Sequence, residues 1–308
     1  MIDVLLATHN SERYLRPLLD SLLAQDTQEY HLIVGDDDSS DETLAILREY
    51  APRFACGMEI HEFHYKKSSA KENFFRLLDF SCGEYIMFAD HDDVWLSQKI
   101  SDTLSVMQAA ERQYGDIPLL IHGDLKVVDE QLRTLSDSLF SMQRLDAARS
   151  RLNYLLCQNI VTGCTVMINR KLRAQLCSCD VSRIIMHDWW LALIASAFGK
   201  IVFMPQPLIL YRQHRENEVG AKNVASGSYV AGRLQNSQGI CDVLHATYVQ
   251  ADEFKKVYGE KLSQRNYKVV AAFAGFLNCS KAGRIFRMFR YRLFKNTLTR
   301  KIGQIIWG

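Results

Sequence analysis

Over the first 120 residues, short β-prone apolar runs alternate with segments of helical period, and this alternation leaves few architectures open. The order is IDVLLA, SERYLRPLLDSLLAQ, YHLIVG, DETLAILREY, MEIHEFHY, KENFFRLLDF and EYIMFA. In the first helical segment Tyr14, Leu15, Leu18, Leu19, Leu22 and Leu23 follow the i, i+3, i+4, i+7 spacing of a buried stripe, and Ser11 is placed to cap it. Repeated strand–helix units predict an α/β chain with a mostly parallel sheet flanked by helices. In such sheets ligands bind beyond the carboxyl ends of the strands. Three polar clusters fall at those ends, THN at 8–10, DDDSSD at 36–41 and DHDD at 90–93, and they are expected to converge on one crevice.

From about 116 to 212 the pattern is mixed: LLIHGDLKVVDE, a helix near Ala148 to Cys157, VTGCTVMINR, a helix from about Asp188, then IVFMP and LILYRQH. Residues 213–239 carry four glycines and no long apolar run, which predicts an irregular, mobile segment, with helices resuming near Ile240. The expected division is therefore 1–222, with halves 1–115 and 116–222, followed by a C-terminal helical extension over 223–308.

At 308 residues, 48% hydrophobic and 23% charged, the chain has the composition of a soluble globular protein. Met1 leads directly into IDVLLATHN without a basic, cleavable leader, so the 8 cysteines are expected to be reduced thiols. None forms a C-x-x-C pair, which argues against structural zinc. VVAAFAGFL from Val269 is about half the length of a membrane span. The net charge of +2 hides an asymmetry: after Glu260 there are eleven basic residues and no acid, leaving residues 1–260 at −9.

Asp90, Asp92 and Asp93 occupy three of four positions directly after the apolar run YIMFA. Carboxylates this close repel one another and are costly near an apolar core, so a cation is the expected compensation. Mg2+ or Mn2+ suits carboxylate oxygens and is often shared with substrate phosphates. In an extended segment the Asp90-x-Asp92 spacing points both side chains the same way. Asp41 reads as a turn former ahead of the helix ETLAILREY. Asp188, in MHDWW, opens a helix where the dipole favours a carboxylate. Trp189 and Trp190 suit either a sugar face or the core.

ATHNSERYL, VGDDDSSDET, FADHDDVW and HDWW, in this order, resemble the inverting family-2 glycosyltransferases of GT-A fold, over about residues 1–215. KENF, DHDDVW, QNIVTGCTVMINR, HDWW and LYRQH are similar to the branch of bacterial rhamnosyltransferases that build surface polysaccharides. The resemblance implies a Rossmann-like nucleotide-sugar half and an acceptor-side half. It also implies that Thr8, Asn10 and Glu12 line the nucleotide pocket and that Asp37 reads the pyrimidine edge. Asp90 and Asp92 stand at the family's DxD positions, with Asp92 the principal metal ligand, and Asp188 at that of the catalytic base. His214 is a candidate to complete the metal or phosphate site, and Arg212 to contact the diphosphate. Asp38, where the family commonly has Gly, and His91 depart from the pattern.

The expected activity is metal-dependent, inverting transfer from a dTDP- or UDP-sugar, with dTDP-L-rhamnose first to test, to a saccharide or lipid-linked acceptor. Two alternatives are a phosphatase or phosphotransferase with an Asp nucleophile, since VGDDDS ends a strand in D-x-D, and a catalytically silent sugar-nucleotide binder. Ile285, Phe286, Phe289 and Leu293 share one side of a helical wheel in the basic C-terminal region. That pairing of apolar and basic residues predicts peripheral attachment to the anionic inner face of the cytoplasmic membrane. No nucleic-acid-recognition module accompanies the charge.

Overall fold

The computed structural model describes residues 1–64, 69–214 and 237–308. The chain forms two compact units. The first comprises Met1–Leu139, Val161–Gln175 and Lys200–Ala221, and the second Phe140–Ile160, Leu176–Gly199 and Lys222–Gly308. The 213–239 segment read as irregular lies largely outside the described residues.

The first unit begins with β1 (Ile2–Thr8), α1 (Glu12–Leu23), β2 (Tyr30–Asp37), α2 (Thr43–Tyr50), β3 (Met58–Phe63), α3 (Ala70–Phe80) and β4 (Tyr85–Asp90). Every residue of β1 is buried, as a central strand covered on both faces requires. β2 and β4 flank it in parallel, and β3 pairs with β2. Registers Thr8↔Asp36 and Ala7↔Asp90 bring three polar clusters to neighbouring carboxyl ends, as the alternation of strands and helices predicts.

Beyond β4 the unit contains β5 (Val94–Trp95), α4 (Lys99–Tyr114), β6 (Leu119–Val128) and β7 (Thr134–Ser136). After the short α5 (Leu139–Gln143) and α6 (Leu152–Leu155) come β8 (Met167–Asn169), α7 (Arg170–Arg173), α8 (His187–Phe198) and β9 (Lys200–Arg212). Among the described residues one mixed sheet has nine strands, in the order β3-β2-β1-β4-β8-β6-β9-β5 with β7 beside β6. The runs IVFMP and LILYRQH fuse into the single strand β9. Its Pro205 and Pro207 are accommodated because the register against β6 shifts between Gly123 and Asp124.

The second unit is helical. It holds α8 together with α9 (Ser237–Tyr258), α10 (Gln264–Ala274), α11 (Lys281–Tyr291) and α12 (Leu298–Trp307). Here the structure divides the chain differently from the expected boundary at 222. From His187 to Ala195, α8 is buried on all sides and needs apolar partners around its whole circumference. The fully buried Trp190 meets Phe254 at 5.3 Å and Tyr258 at 5.9 Å, ring centroid to centroid, both from α9. The helix expected over 148–157 is interrupted at Arg151, whose backbone is extended (φ −74°, ψ 147°). No disulfide joins any of the eight cysteines, all of which lie among the described residues. Among the described residues no helix is long and apolar enough to cross a membrane.

Candidate active site

The loops after β1 and β2 are tied together by side chains. Thr8 Oγ1 donates to Asp36 Oδ2 at 2.8 Å, and Asp36, 1% exposed, also accepts from the Ser39 amide and hydroxyl. Asn10 adopts a left-handed backbone (φ 48°), and its Oδ1 accepts from the Ser40 amide at 2.9 Å. Glu12 Oε2 accepts from the Glu42 amide at 3.0 Å. Asp41 behaves as a helix-start residue: one oxygen accepts from the Thr43 amide and hydroxyl, the other from the Glu12 amide. Ser11 precedes α1 as expected, but its Oγ turns back to accept from the His9 amide and makes no cap.

Asp37 is buried, with Oδ1 3.1 Å from Arg76 Nη1. Asp38, next in the chain, is exposed with φ 58°, a conformation glycine adopts freely and aspartate tolerates. The departure at Asp38 therefore leaves the turn's shape intact. Asn73 of KENF is 1% exposed and donates to the Gly35 carbonyl at 2.7 Å; a Cβ at Gly35 would collide with its amide oxygen.

After β4, DHDD is a turn and not the extended segment assumed from the spacing, with the Asp93 amide approaching the Asp90 carbonyl at 3.4 Å. The three carboxylates therefore face different surroundings. Asp92, 6% exposed, has Oδ2 2.7 Å from His214 Nε2. Burial opposes its ionisation, but the His214 hydrogen bond and the neighbouring histidines outweigh it and hold the carboxyl below its ordinary pKa. Asp93 is fully buried, and burial, reinforced by the Asp92 and Asp90 charges, drives its pKa well up. Asp93 Oδ1 accepts from the Arg212 amide at 3.1 Å, and a carboxylate oxygen each of Asp90 and Asp93 and the Cys164 sulfur lie within 4.8 Å of one another.

Lys99, 1% exposed, lies below this turn with its Nζ 4.0 Å from the Trp95 ring centroid, and burial lowers its pKa to about 7. Burial likewise lowers that of His91, with Asp92 opposing. Arg212 braces the turn: Nε donates to the Asp92 carbonyl at 2.8 Å and Nη1 to the Glu130 carbonyl at 2.6 Å. Tyr14 packs on this edge, its ring 4.7 Å from the Arg212 guanidinium and 4.9 Å from the His214 ring. Carboxylate oxygens such as those of Asp92 and Asp90 are donors that suit Mg2+ or Mn2+.

In the second unit, Asp188 sits in the first turn of α8 and is 7% exposed. Its Oδ1 accepts from the Trp189 amide at 2.5 Å and from Asn159 Nδ2 at 3.3 Å. Trp189 donates its indole N–H to the Leu155 carbonyl at 2.6 Å, while Trp190 is core.

Residues 3–170 match the family model described as "Glycosyl transferase family 2". The chain belongs to this family. It is 28% identical over 225 residues to the dTDP-rhamnosyl transferase RfbG of Shigella flexneri, covering 70% of this chain and 74% of that one. An uncharacterized glycosyltransferase of Rickettsia typhi is 20% identical over 301 residues, 90% of this chain and 88% of its own. S. aureus TarS 1–349 in complex with UDP-GlcNAc superposes with a TM-score of 0.54 at 16% identity, covering 95% of this chain and 92% of that. The mannosyltransferase PcManGT of Pyrobaculum calidifontis, in complex with GDP-Man and Mn2+, gives 0.55 at 15%, covering 99% and 86%. The fold is GT-A, and the protein is a glycosyltransferase. The phosphotransferase alternative falls with this membership. Asp36, at the end of β2, also has its oxygens committed to Thr8 and Ser39 and does not suit a nucleophile.

From the sequence alone no role in the site falls to Asp36, Arg76, Asn159 or Lys99, and Tyr14 reads only as part of the buried stripe of α1. Asn159 had a signal, being the second residue of QNIVTGCTVMINR, but its partner lies 29 positions on. Arg76 and Lys99 sit on helices among other charged residues, and nothing in the spacing marks them as inward-facing.

Proposed function

We propose that this family-2 glycosyltransferase catalyses a metal-dependent, inverting transfer of L-rhamnose from dTDP-L-rhamnose to a saccharide or lipid-linked saccharide in bacterial surface polysaccharide synthesis. The observation that carries this reading is the Asp92 carboxylate, buried just beyond the carboxyl end of β4 with Oδ2 2.7 Å from His214 Nε2 and Asp90 and Asp93 as chain neighbours. The rhamnosyl donor rests on the similarity to the dTDP-rhamnosyl transferase RfbG, and the metal also on the Mn2+ of PcManGT.

In this reading Thr8, Asn10 and Glu12 shape the nucleotide pocket, and Asp37, oriented by Arg76, accepts the N3–H of thymine, a donor that cytosine lacks. Asp92, His214 and Asp90 would hold Mg2+ or Mn2+, which when bound would supply charge compensation for the departing diphosphate. Arg212 contacts the diphosphate and also braces the Asp92 backbone through its Nε. Asp188 is the general base. It removes the proton from the acceptor hydroxyl as that oxygen bonds to the anomeric carbon, and the bonding pair of the C–O link leaves with the nucleoside diphosphate. Asn159 and the Trp189 amide keep the Asp188 carboxylate in one orientation. A lipid-linked acceptor is membrane-bound, and the eleven basic residues after Glu260 support peripheral attachment at the cytoplasmic membrane's inner face.

Incubation with dTDP-β-L-rhamnose, Mn2+ and a rhamnose-accepting oligosaccharide tests the reading. The expected result is dTDP release that stops on chelation, with an α-linked product by proton NMR. A β-linked product would contradict single displacement. Turnover of UDP-GlcNAc or GDP-mannose in its place would reject the rhamnosyl donor.

A further inference from the structure

Each of the two C-terminal helices exposes a row of large apolar residues while turning some polar side chains inward, although α11 also buries Met288. In α12, Leu298, Ile302 and Ile306 recur at i, i+4 and i+8 and are 72%, 48% and 50% exposed, whereas Gln304, on the opposite side, is 2% exposed. That buried amide accepts from the Lys295 N–H and donates to the Leu293 carbonyl. In α11, Phe286 and Phe289 are 70% and 64% exposed, while Arg284 and Arg287 turn inward to the carbonyls of Cys279 and Ala272. The helices are joined by residues 292–297, and Lys281 Nζ reaches the Ile306 carbonyl at 2.7 Å, so they run antiparallel. The wheel-based face is corrected accordingly: Leu293 is fully buried, and the outward apolar set is Phe286, Phe289, Leu298, Ile302 and Ile306.

Water favours neither arrangement, since it leaves aliphatic rows exposed and turns polar groups in. Arg290 and Arg292 are exposed beside these rows, and the whole region lacks an acid, so the occupant must accept both hydrocarbon and positive charge. An anionic lipid leaflet does both. We infer that Leu298, Ile302 and Ile306 of α12, with Phe286 and Phe289 of α11, insert among the acyl chains of an anionic leaflet while the flanking arginines engage its headgroups. This rests on the attachment reading above and makes it specific: binding has a salt-resistant, apolar component.

Full-length protein is sedimented with vesicles of equimolar phosphatidylglycerol and phosphatidylcholine, and with phosphatidylcholine alone, at low and high salt. The triple variant Leu298→Ser/Ile302→Ser/Ile306→Ser changes only exposed side chains, so its circular dichroism should match the parent's. Its partitioning onto anionic vesicles is expected to fall by about 10-fold or more, leaving a remnant that salt removes. In the Ile302→Trp variant, brominated acyl chains are expected to quench the added fluorescence. If the triple variant binds like the parent and salt strips both completely, attachment is purely electrostatic: the inference falls and the attachment reading stands. Failure of the parent to bind anionic vesicles overturns both. A concentration-dependent dimer in sedimentation velocity, lost in the triple variant and unaffected by vesicles, would assign the face to a second copy and overturn the lipid assignment.

Discussion

The carboxyl edge of the parallel strands and the helical second unit carry different kinds of chemistry, written into the chain in different ways. At the strand ends, charge is concentrated and then sorted by surroundings: the His214 hydrogen bond pulls the Asp92 pKa down, while burial pushes that of Asp93 up. In the second unit Asp188 stands without a neighbouring acid in its helix turn, oriented by one amide and Asn159. The first arrangement suits charge compensation and the second proton removal. Replacing each carboxylate by its amide should therefore fail in different ways.

The largest effect is expected from Asp92→Asn, which removes the charge but keeps the shape. Turnover should fall by about 10³-fold or more, equivalent to roughly 4 kcal/mol in the barrier, with metal dependence lost. Initial rates of dTDP release against Mn2+ concentration check it, and an unchanged metal titration would remove Asp92 from the metal site. Asp188→Asn is expected to lower kcat by at least about 10²-fold while donor affinity by calorimetry stays at the parent value. Loss of donor affinity with kcat preserved would move Asp188 out of the base role and erase the contrast.

Much of the first unit was legible because two periodicities encode it. Alternating strands and helices fix the parallel order, parallel order fixes which loops share an edge, and that edge collects Thr8, Asp37 and Asp90. The short antiparallel strands β5, β7 and β8 were not legible, since two or three residues carry no period. Nor was the fate of each aspartate: FADHDDVW reads as three equivalent carboxylates, and only the turn separates them. The second unit was less legible still. Its parts come from three separate stretches, and no local pattern states that Trp190 will meet Phe254 and Tyr258. The C-terminal wheel failed for a related reason. Leu293 lies after α11 ends, where helical spacing no longer applies, and is buried.

A smaller effect compares the two units by acid sensitivity. Each has one histidine 2% exposed or less, His122 in β6 and His187 in α8, and burial pushes both down to about 3. In the unfolded chain their pKa is about 6.5. Between these values the unfolded state binds a proton that the folded state does not, so stability falls as pH drops from about 6.5 towards 3. Each histidine contributes a slope of up to roughly 1.4 kcal/mol per pH unit. Urea melts at pH 5 and pH 7, followed by tryptophan fluorescence, are expected to show the loss. His122→Leu and His187→Leu should each flatten it, and together more than either alone. A slope unchanged in both variants would place the acid sensitivity elsewhere.

The smallest effect is expected within the pair of adjacent residues that the strand edge treats most differently. Asp37 is buried against Arg76, and Asp37→Ala removes the carboxylate assigned to the base, so donor KM should rise. Asp38 is exposed and left-handed, and its carboxylate pairs with His64, an exposed pair that water and salt screen. Asp38→Gly relieves a positive φ that costs an L-residue about 1 kcal/mol, less for aspartate, and restores chain entropy to the unfolded state worth about 0.5–1 kcal/mol. These terms oppose each other, so stability should change by no more than about 0.5 kcal/mol, with kcat and donor KM at the parent values. The measurement is a urea melt with donor kinetics on both variants. If Asp38→Gly raised donor KM as much as Asp37→Ala, the exposed residue would be reading the nucleotide too. The edge would then distinguish neighbouring carboxylates by something other than burial.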